Sequence, residues 1–201
     1  MTLTRRKLFI TGLAFRECAA TARQLNGKTP IASSPTEPDV RLGVRFSPLG
    51  SSFKEALFSM QPGKTIVASQ LSGDFTLPRD TSKKLLFIAG GIGVTPFRSM
   101  LQYLLDAGEK RPIAILYANN APTDVAYRDL LERAQRELGI GTVYVFSELS
   151  PELIASEVPD YRERTCYISG PQGMVLSFKR TLRGMGVARR SIRTDYFPGF
   201  T

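Results

Sequence analysis

Residues 85–108 read LLFIAGGIGVTPFRSMLQYLLDAG, and this stretch sets the architecture that the rest of the chain extends. Leu85 to Ala89 is continuously apolar and is bounded by Lys83-Lys84 and by glycines, which suits a strand covered on both faces, as a parallel sheet requires. Gly90, Gly91 and Gly93 let the backbone bend and come close to a ligand that any Cβ would push away. Pro96 brings a fixed φ to the first helical turn, and Phe97, Met100, Leu101, Leu104 and Leu105 recur at helical spacing. A phosphate at that helix start would meet unpaired N–H groups and the positive end of the helix dipole. A glycine turn after a strand is also common as plain structure, so the turn alone leaves a function-free reading open.

The spacing departs from the G-x-G-x-x-G fingerprint, because Thr95 and Pro96 stand where a third glycine would help pack helix on strand. An ordinary Rossmann dehydrogenase is therefore disfavoured. Composition removes other chemistries. The 201 residues include no histidine and two cysteines, Cys18 and Cys166. That excludes Ser-His-Asp catalysis, imidazole acid–base work and His-based zinc sites. Two distant cysteines hold neither a four-thiolate iron–sulfur cluster nor a C-x-x-C redox pair, so redox work would need a borrowed organic cofactor. The net charge of +9 invites a nucleic-acid reading, yet the cations are scattered apart from Lys179, Arg180, Arg183, Arg189, Arg190 and Arg193. No recognition helix, zinc finger or RNA-binding signature accompanies them, and no nucleic-acid partner or metal is expected.

Beyond the glycine turn, strands and helices alternate. Pro112 to Tyr117 reads as a strand, and Thr123 to Leu138 as a helix with Thr123-Asp124 in capping position. Thr142 to Phe146 is a third strand, 149–156 a short helix, and Thr165 to Ser169 a fourth strand that Gly170-Pro171 breaks. Residues 171–185 continue as a helix with Met174, Phe178, Leu182 and Met185 on one stripe, and Ser191 to Tyr196 is extended. The fold class expected is α/β, a doubly wound parallel sheet with helices on both faces and right-handed crossovers.

In this order the segment from Leu85 to the C-terminus resembles the pyridine-nucleotide domain of the ferredoxin-NADP reductase family of flavoproteins. Four motifs carry the resemblance: GGIGVTP at 90–96, LYANN at 116–120 with Asp124 just after, YISGPQGM at 167–174, and TDYFPGF at 194–200. In that family such segments meet, respectively, the pyrophosphate and nicotinamide, the adenosine ribose, the nicotinamide again, and the flavin ring. The resemblance thus implies FAD and NAD(P)H as cofactors and Asp195 and Thr95 as catalytic residues. It implies nucleotide contacts from Gly90, Gly91, Gly93, Thr95, Pro96, Asn119, Asn120, Asp124, Gly170 and Pro171, and flavin walls from Phe197 and Phe200.

The residues themselves leave alternatives. The Thr95 hydroxyl suits a carboxamide or a helix N-cap. Asn119 and Asn120 suit ribose or adenine, or are simple turn residues. Asp195 with the terminal aromatics borders a flavin, or is a solvated acid beside a core aromatic. The basic concentration at 179–193 reads first as a solvated face, and second as a docking patch for an acidic electron carrier or a site for the extra phosphate of NADPH.

Upstream, IASSPTEP (31–38), VRLGVRF (40–46), GSSFKEAL (50–57), QPGKTIVAS (61–69) and GDFTLP (73–78) resemble the closing part of the family's flavin-binding antiparallel barrel. Ser33 and Gly50-Ser51-Ser52 are the flavin contacts this implies, the latter three through backbone N–H groups and hydroxyls before a helical run; the bland reading is a cap on a surface helix. Family members write Arg-x-Tyr/Phe-Ser just before Ile-Ala-Ser-Ser, whereas this chain has Gly27, Lys28, Thr29 and Pro30. Losing a phosphate-pairing arginine (roughly 1.5–3 kcal/mol) and a stacking aromatic (roughly 1–3) weakens flavin affinity about 10²- to 10⁴-fold.

Residues 1–27 lack alternating strands, and Arg16 and Glu17 interrupt the apolar stretch behind Arg5-Arg6. A cytoplasmic location without a membrane span is expected rather than export. The organisation expected is an unassigned segment 1–27, poorly ordered or helical, a partial FAD-binding barrel at 28–80, truncated or altered near Pro30, and an NAD(P)-binding domain at 81–201. The function implied is an NAD(P)H-dependent flavin oxidoreductase that passes hydride from nicotinamide to FAD and electrons to a carrier such as ferredoxin or flavodoxin, or to a small-molecule acceptor. The competing reading is a nucleotide-binding fragment, or a subunit that needs a partner chain to complete its barrel and hold flavin.

Overall fold

The computed structural model describes residues 7–8, 31–45, 52–61 and 75–197. Its short elements upstream are β1 (Lys7–Leu8), β2 (Val44–Arg45) and α1 (Ser52–Ser59). The apolar run at 85 becomes β3 (Leu85–Gly90), buried along its whole length. After it come α2 (Thr95–Ala107), β4 (Ile113–Ala118), α3 (Arg128–Leu138), β5 (Thr142–Val145), α4 (Pro151–Glu157), β6 (Thr165–Pro171), α5 (Gln172–Gly184) and β7 (Ile192–Phe197). The last five strands form one parallel sheet in the order β5-β4-β3-β6-β7.

Period-two alternation sorts the core into two layers. Leu85, Phe87 and Ala89 of β3 pack with Phe97, Leu101 and Leu104 of α2 and Leu131 and Ala134 of α3. Leu86 and Ile88, pointing the other way, pack with Ile154 of α4 and Val175 and Leu182 of α5. A strand apolar on both faces needs helices on both, which is why these strands read as continuous apolar runs. Cys166 lies in the second layer, where burial pushes its thiol pKa up to about 12, so it stays a protonated packing residue.

Two expectations change. The helix expected from Thr123 begins at Arg128, because Pro122–Asp124 forms a 3₁₀ turn and Tyr127 takes a left-handed φ of 56°. The cause is tertiary: the buried Tyr117 phenol accepts from Ala126 N at 3.1 Å and donates to Gly91 O at 2.9 Å, tying this loop to the glycine turn. Gly170-Pro171 does not break the fourth strand either, since β7 pairs with β6 through Gly170↔Tyr196 and Pro171↔Phe197. Proline is tolerated at such a strand end, where no further ladder bond is required of it.

Upstream, β1 pairs antiparallel with β2, and Ile31 bridges Leu42. Residues 31–41 dock on α2 through a polar clamp. Arg98, only 7% exposed, donates to the Ala32 carbonyl at 2.9 Å and grips both carboxylate oxygens of Glu37. Ser99 donates to Ser33 O at 2.7 Å, and Thr36 donates to Asp106. The hydrogen bond from Arg98 holds the Glu37 carboxyl below its ordinary 4.5. A carboxylate depressed in the folded state stabilises fully above its unfolded pKa and loses that contribution as pH falls through the folded value. Urea unfolding of the wild type should therefore show a loss of stability on going from pH 6 toward pH 3 that is smaller in Glu37→Gln; equal pH dependence in both would refute the clamp's share.

Candidate functional site

The direction of connection reverses between β3 and β6, and an open α/β sheet binds ligands outside the carboxyl ends of its strands at such a point. Two turns meet there: a 3₁₀ turn, Gly91–Val94, after β3, and the junction of β6 with α5 at Pro171-Gln172. They are pressed together. A Cβ on Gly93 would sit 2.5 Å from Gly170 Cα and closer still to the Ser169 carbonyl oxygen, and one on Gly90 would sit 2.7 Å from Met174 Cε. The room these two glycines leave is thus occupied by β6 and Met174. Gly93 supplies the close packing for which the sequence has no third glycine.

Two polar side chains at these strand ends stand out. Asn119 follows β4, is 8% exposed, and neither its Oδ1 nor its Nδ2 has a hydrogen-bond partner among the described residues. Burial pushes the neighbouring Tyr117 phenol up to about 12, opposed by Ala126 N–H and then by the Asn119 side chain, which comes close to the phenol without completing a hydrogen bond. Ser169, at the end of β6, is fully buried with an unpartnered hydroxyl. Buried polar atoms without partners are rare and costly, roughly 1–3 kcal/mol each, so a pair of them flanking a switch point fits a ligand that satisfies both.

Sequence reasoning singled out Asn119 and passed over Ser169. The available signal was a serine closing the apolar run TCYI just before Gly-Pro. Register places Ser169 directly beside Asp195 of β7. Both belong to the face that carries Tyr167, whose ring lies 5.9 Å from the Arg193 guanidinium carbon.

Thr95 is fully buried, and its hydroxyl donates to Ile92 O at 2.7 Å. The N-cap of α2 is Val94 without a side-chain cap, and Gly43 lies directly over Thr95, where a Cβ would come within 2.5 Å of Cγ2. Pro96 occupies the first turn of α2 as expected. Gly91 opens the 3₁₀ turn, Asn120 is exposed, and Asp124 closes the turn that follows β4.

Ser33 is buried; its hydroxyl accepts from Arg41 N at 3.0 Å and its carbonyl accepts from Ser99. Gly50, Ser51 and Phe200 lie outside the described residues, and for Ser52 and Phe197 the backbone alone is described, at the start of α1 and the end of β7. Toward a flavin, then, the described residues offer the end of β7 and a Ser33 already engaged within its own loop, whereas toward a nicotinamide nucleotide they offer two orphaned polar groups. Among the described residues no cluster of three or more His, Cys, Asp or Glu could hold a metal ion, and no helix is long and apolar enough to cross a membrane.

Residues 87–179 match the oxidoreductase NAD-binding domain family. The chain is 30% identical over 151 residues to a flavohemoprotein of Pseudomonas putida, covering 69% of this chain and 38% of that protein. It is 25% identical over 171 residues to the reductase subunit of stachydrine N-demethylase from Rhizobium meliloti, covering 78% of this chain and 48% of that one. The chain therefore spans less than half the length of these two relatives. Among solved structures, a ferredoxin-NADP+ reductase mutant from Plasmodium falciparum superposes with a TM-score of 0.69 at 17% identity, over 83% of this chain and 75% of that one; at this identity the likeness concerns the fold.

Proposed function

We propose, on the match of residues 87–179 to the oxidoreductase NAD-binding domain family, that the chain is a flavin oxidoreductase of the ferredoxin-NADP reductase family and binds NAD(P)H at the carboxyl ends of β3, β4 and β6. The observation that carries this reading is the pair Asn119 and Ser169, both buried, both polar, both without partners, on either side of the switch point. When bound, a reduced nicotinamide supplies hydride to an isoalloxazine ring, whose electrons go on to a carrier protein, an oxygenase or a small acceptor.

The chain's own residues supply position. The Ser169 hydroxyl meets the nicotinamide carboxamide, and Asp195 beside it borders the ring that would receive hydride. Asn119 takes ribose hydroxyls. The N–H groups of Gly91 to Val94 lie at the start of α2, where a pyrophosphate is favoured by unpaired donors and by the dipole. Thr95, bonded to Ile92 and covered by Gly43, holds the shape of that turn. The tight contact of the two turns excludes water from the floor of the crevice and fixes the ligand's orientation. FAD is the flavin of this proposal. A second reading follows from Gly27–Pro30 standing where the family has Arg-x-Tyr-Ser: nucleotide binding without retained flavin unless a partner chain completes the barrel.

The test is calorimetric titration of the purified protein with NADH and NADPH, with unfolding measured alongside. Ser169→Ala and Asn119→Ala should each weaken nucleotide binding about 3- to 10-fold, the value of one neutral hydrogen bond. Each should leave the free protein as stable as the wild type or more so, because an orphaned buried polar group is removed. Reduced stability with unchanged affinity would make both residues structural and sink the proposal. Incubation with FAD, desalting and anaerobic addition of nucleotide then separates the two readings, since retained flavin that bleaches marks a complete reductase in one chain.

A further inference from the structure

A cavity of about 190 Å³ is lined, among the described residues, by Ala32, Arg41, Arg98 and Tyr127. Its walls come from distant parts of the chain. Ala32 and Arg41 belong to one paired segment, in which Ala32 N donates to Arg41 O; Arg98 comes from α2, and Tyr127 is the residue that caps α3. The volume is below the roughly 300–1,000 Å³ of sites for drug-sized ligands, so it suits a small ligand and not a dinucleotide. The cavity shares no lining residue with the nucleotide crevice proposed above and does not rest on it.

Two guanidinium groups share one carboxylate here. Arg98 grips both oxygens of Glu37, and Ser34 N donates to one of them at 2.7 Å. Arg41 reaches the same carboxylate only at 3.3 Å through Nη1, and its Nε is buried without a hydrogen-bond partner among the described residues. Glu37 is the one carboxylate within ion-pair distance of either arginine among the described residues. The wall therefore carries one positive charge in excess, because a guanidinium stays protonated. Water can satisfy an orphaned N–H, but it does not neutralise that charge. Burial raises the Tyr127 phenol, and a hydrogen bond with Thr95 and then the Arg98 and Arg41 charges oppose it, which puts both guanidiniums within electrostatic reach of that side chain.

We infer that this cavity binds a small monocarboxylate, held by the unpartnered Nε of Arg41 and backed by the Ala32 methyl and the Tyr127 ring. Carboxylate oxygens match guanidinium donors, and charge-assisted hydrogen bonds are the strong ones. A single negative charge balances the surplus on the wall. Phosphate, more than singly charged at neutral pH, overshoots it beside the Glu37 carboxylate. A short aliphatic tail gains from burial against Ala32 and Tyr127. The occupant joins the segment that carries Arg41 to the start of α3, a link that Arg98, on α2, does not make.

The test is calorimetric titration of the full chain with sodium propionate, with thermal unfolding alongside, against sodium phosphate and against sodium chloride at equal ionic strength. The expected result is saturable binding at one site with a Kd on the order of 1 mM, and an unfolding midpoint raised by about 4–7 °C at about twentyfold excess over that Kd. Phosphate should bind more weakly, and chloride should leave the midpoint where it is. Arg41→Lys keeps the charge but removes Nε, and should cost about 10- to 100-fold in propionate affinity; wild-type affinity in that variant would overturn the assignment. Hydrogen exchange on the wild type locates the site without any substitution. Saturating propionate should slow exchange at Ala32 and Arg41, whose N–H groups donate to Arg41 O and to the Ser33 hydroxyl. Unchanged exchange at both, phosphate binding as tightly as propionate, or a propionate response no larger than that to chloride would each overturn the inference. None of these readouts involves a nucleotide, so the inference and the proposed function fail separately.

Discussion

Gly93→Ala will lower the thermal unfolding midpoint by roughly 5–10 °C and reduce nucleotide binding with it. The added Cβ would lie 2.5 Å from Gly170 Cα and nearer still to the Ser169 carbonyl, and these are backbone atoms of the strand next to β3, which cannot swing aside as a side-chain tip does. Overpacking of this kind costs about 1–3 kcal/mol, occasionally more, and each kcal/mol moves the midpoint of a domain this size by about 2–4 °C. Gly173→Ala is the matched control, since it adds a Cβ with nothing within 4 Å on an exposed helical residue. It should be neutral or stabilising by up to about 1 kcal/mol. If Gly93 instead faced open space kept for a ligand, Gly93→Ala would unfold at the wild-type temperature and fail only in nucleotide binding.

Arg98→Ala should have the next largest effect, about 1–3 kcal/mol in urea unfolding, because it leaves the Ala32 carbonyl unpaired and Glu37 held only by Ser34 N and Arg41. Arg98 reaches across 66 positions of sequence to Ala32 O and across 61 to Glu37, so its loss should also release residues 31–41 from α2. Hydrogen exchange would show this as faster exchange at Ala32, whose N–H donates to Arg41 O, and at Arg41, whose N–H donates to the Ser33 hydroxyl. Protection of Leu86 and Ile88 in the central strand should persist relative to the lowered global stability. An Arg98→Ala/Glu37→Ala pair should lose less than the sum of the two single changes, since both remove the same contact. Unchanged exchange at Ala32 and Arg41 would show that Ser99 and the apolar contacts hold the loop without the clamp.

Local sequence was a good guide wherever one residue's surroundings are repetitive. The continuous run at Leu85–Ala89 and the helical spacing from Phe97 to Leu105 depend only on which faces are buried, and a strand apolar on both faces has few alternatives. The extent of β6 was less legible, because Gly170-Pro171 is a strong local break signal that pairing with β7 overrides. The start of α3 was misread for a related reason. Thr123-Asp124 is a sound capping signal, but the Tyr117 phenol takes the Ala126 N–H and keeps Val125 and Ala126 packed in the core ahead of the helix.

The order of elements, the parallel sheet, the absence of histidine chemistry and the position of the glycine turn after β3 are all written in the linear chain, since composition, periodicity and turn residues act over a few positions at a time. The chain alone does not contain which glycines touch protein, that Thr95 is sealed beneath Gly43, that Ser169 and Asn119 are left without partners, or that Arg183, Arg189 and Arg190 lie at the end of the sheet opposite the crevice. These depend on strand order and register, which join residues tens of positions apart, and a residue's neighbours across a sheet have no counterpart in its neighbours along the chain.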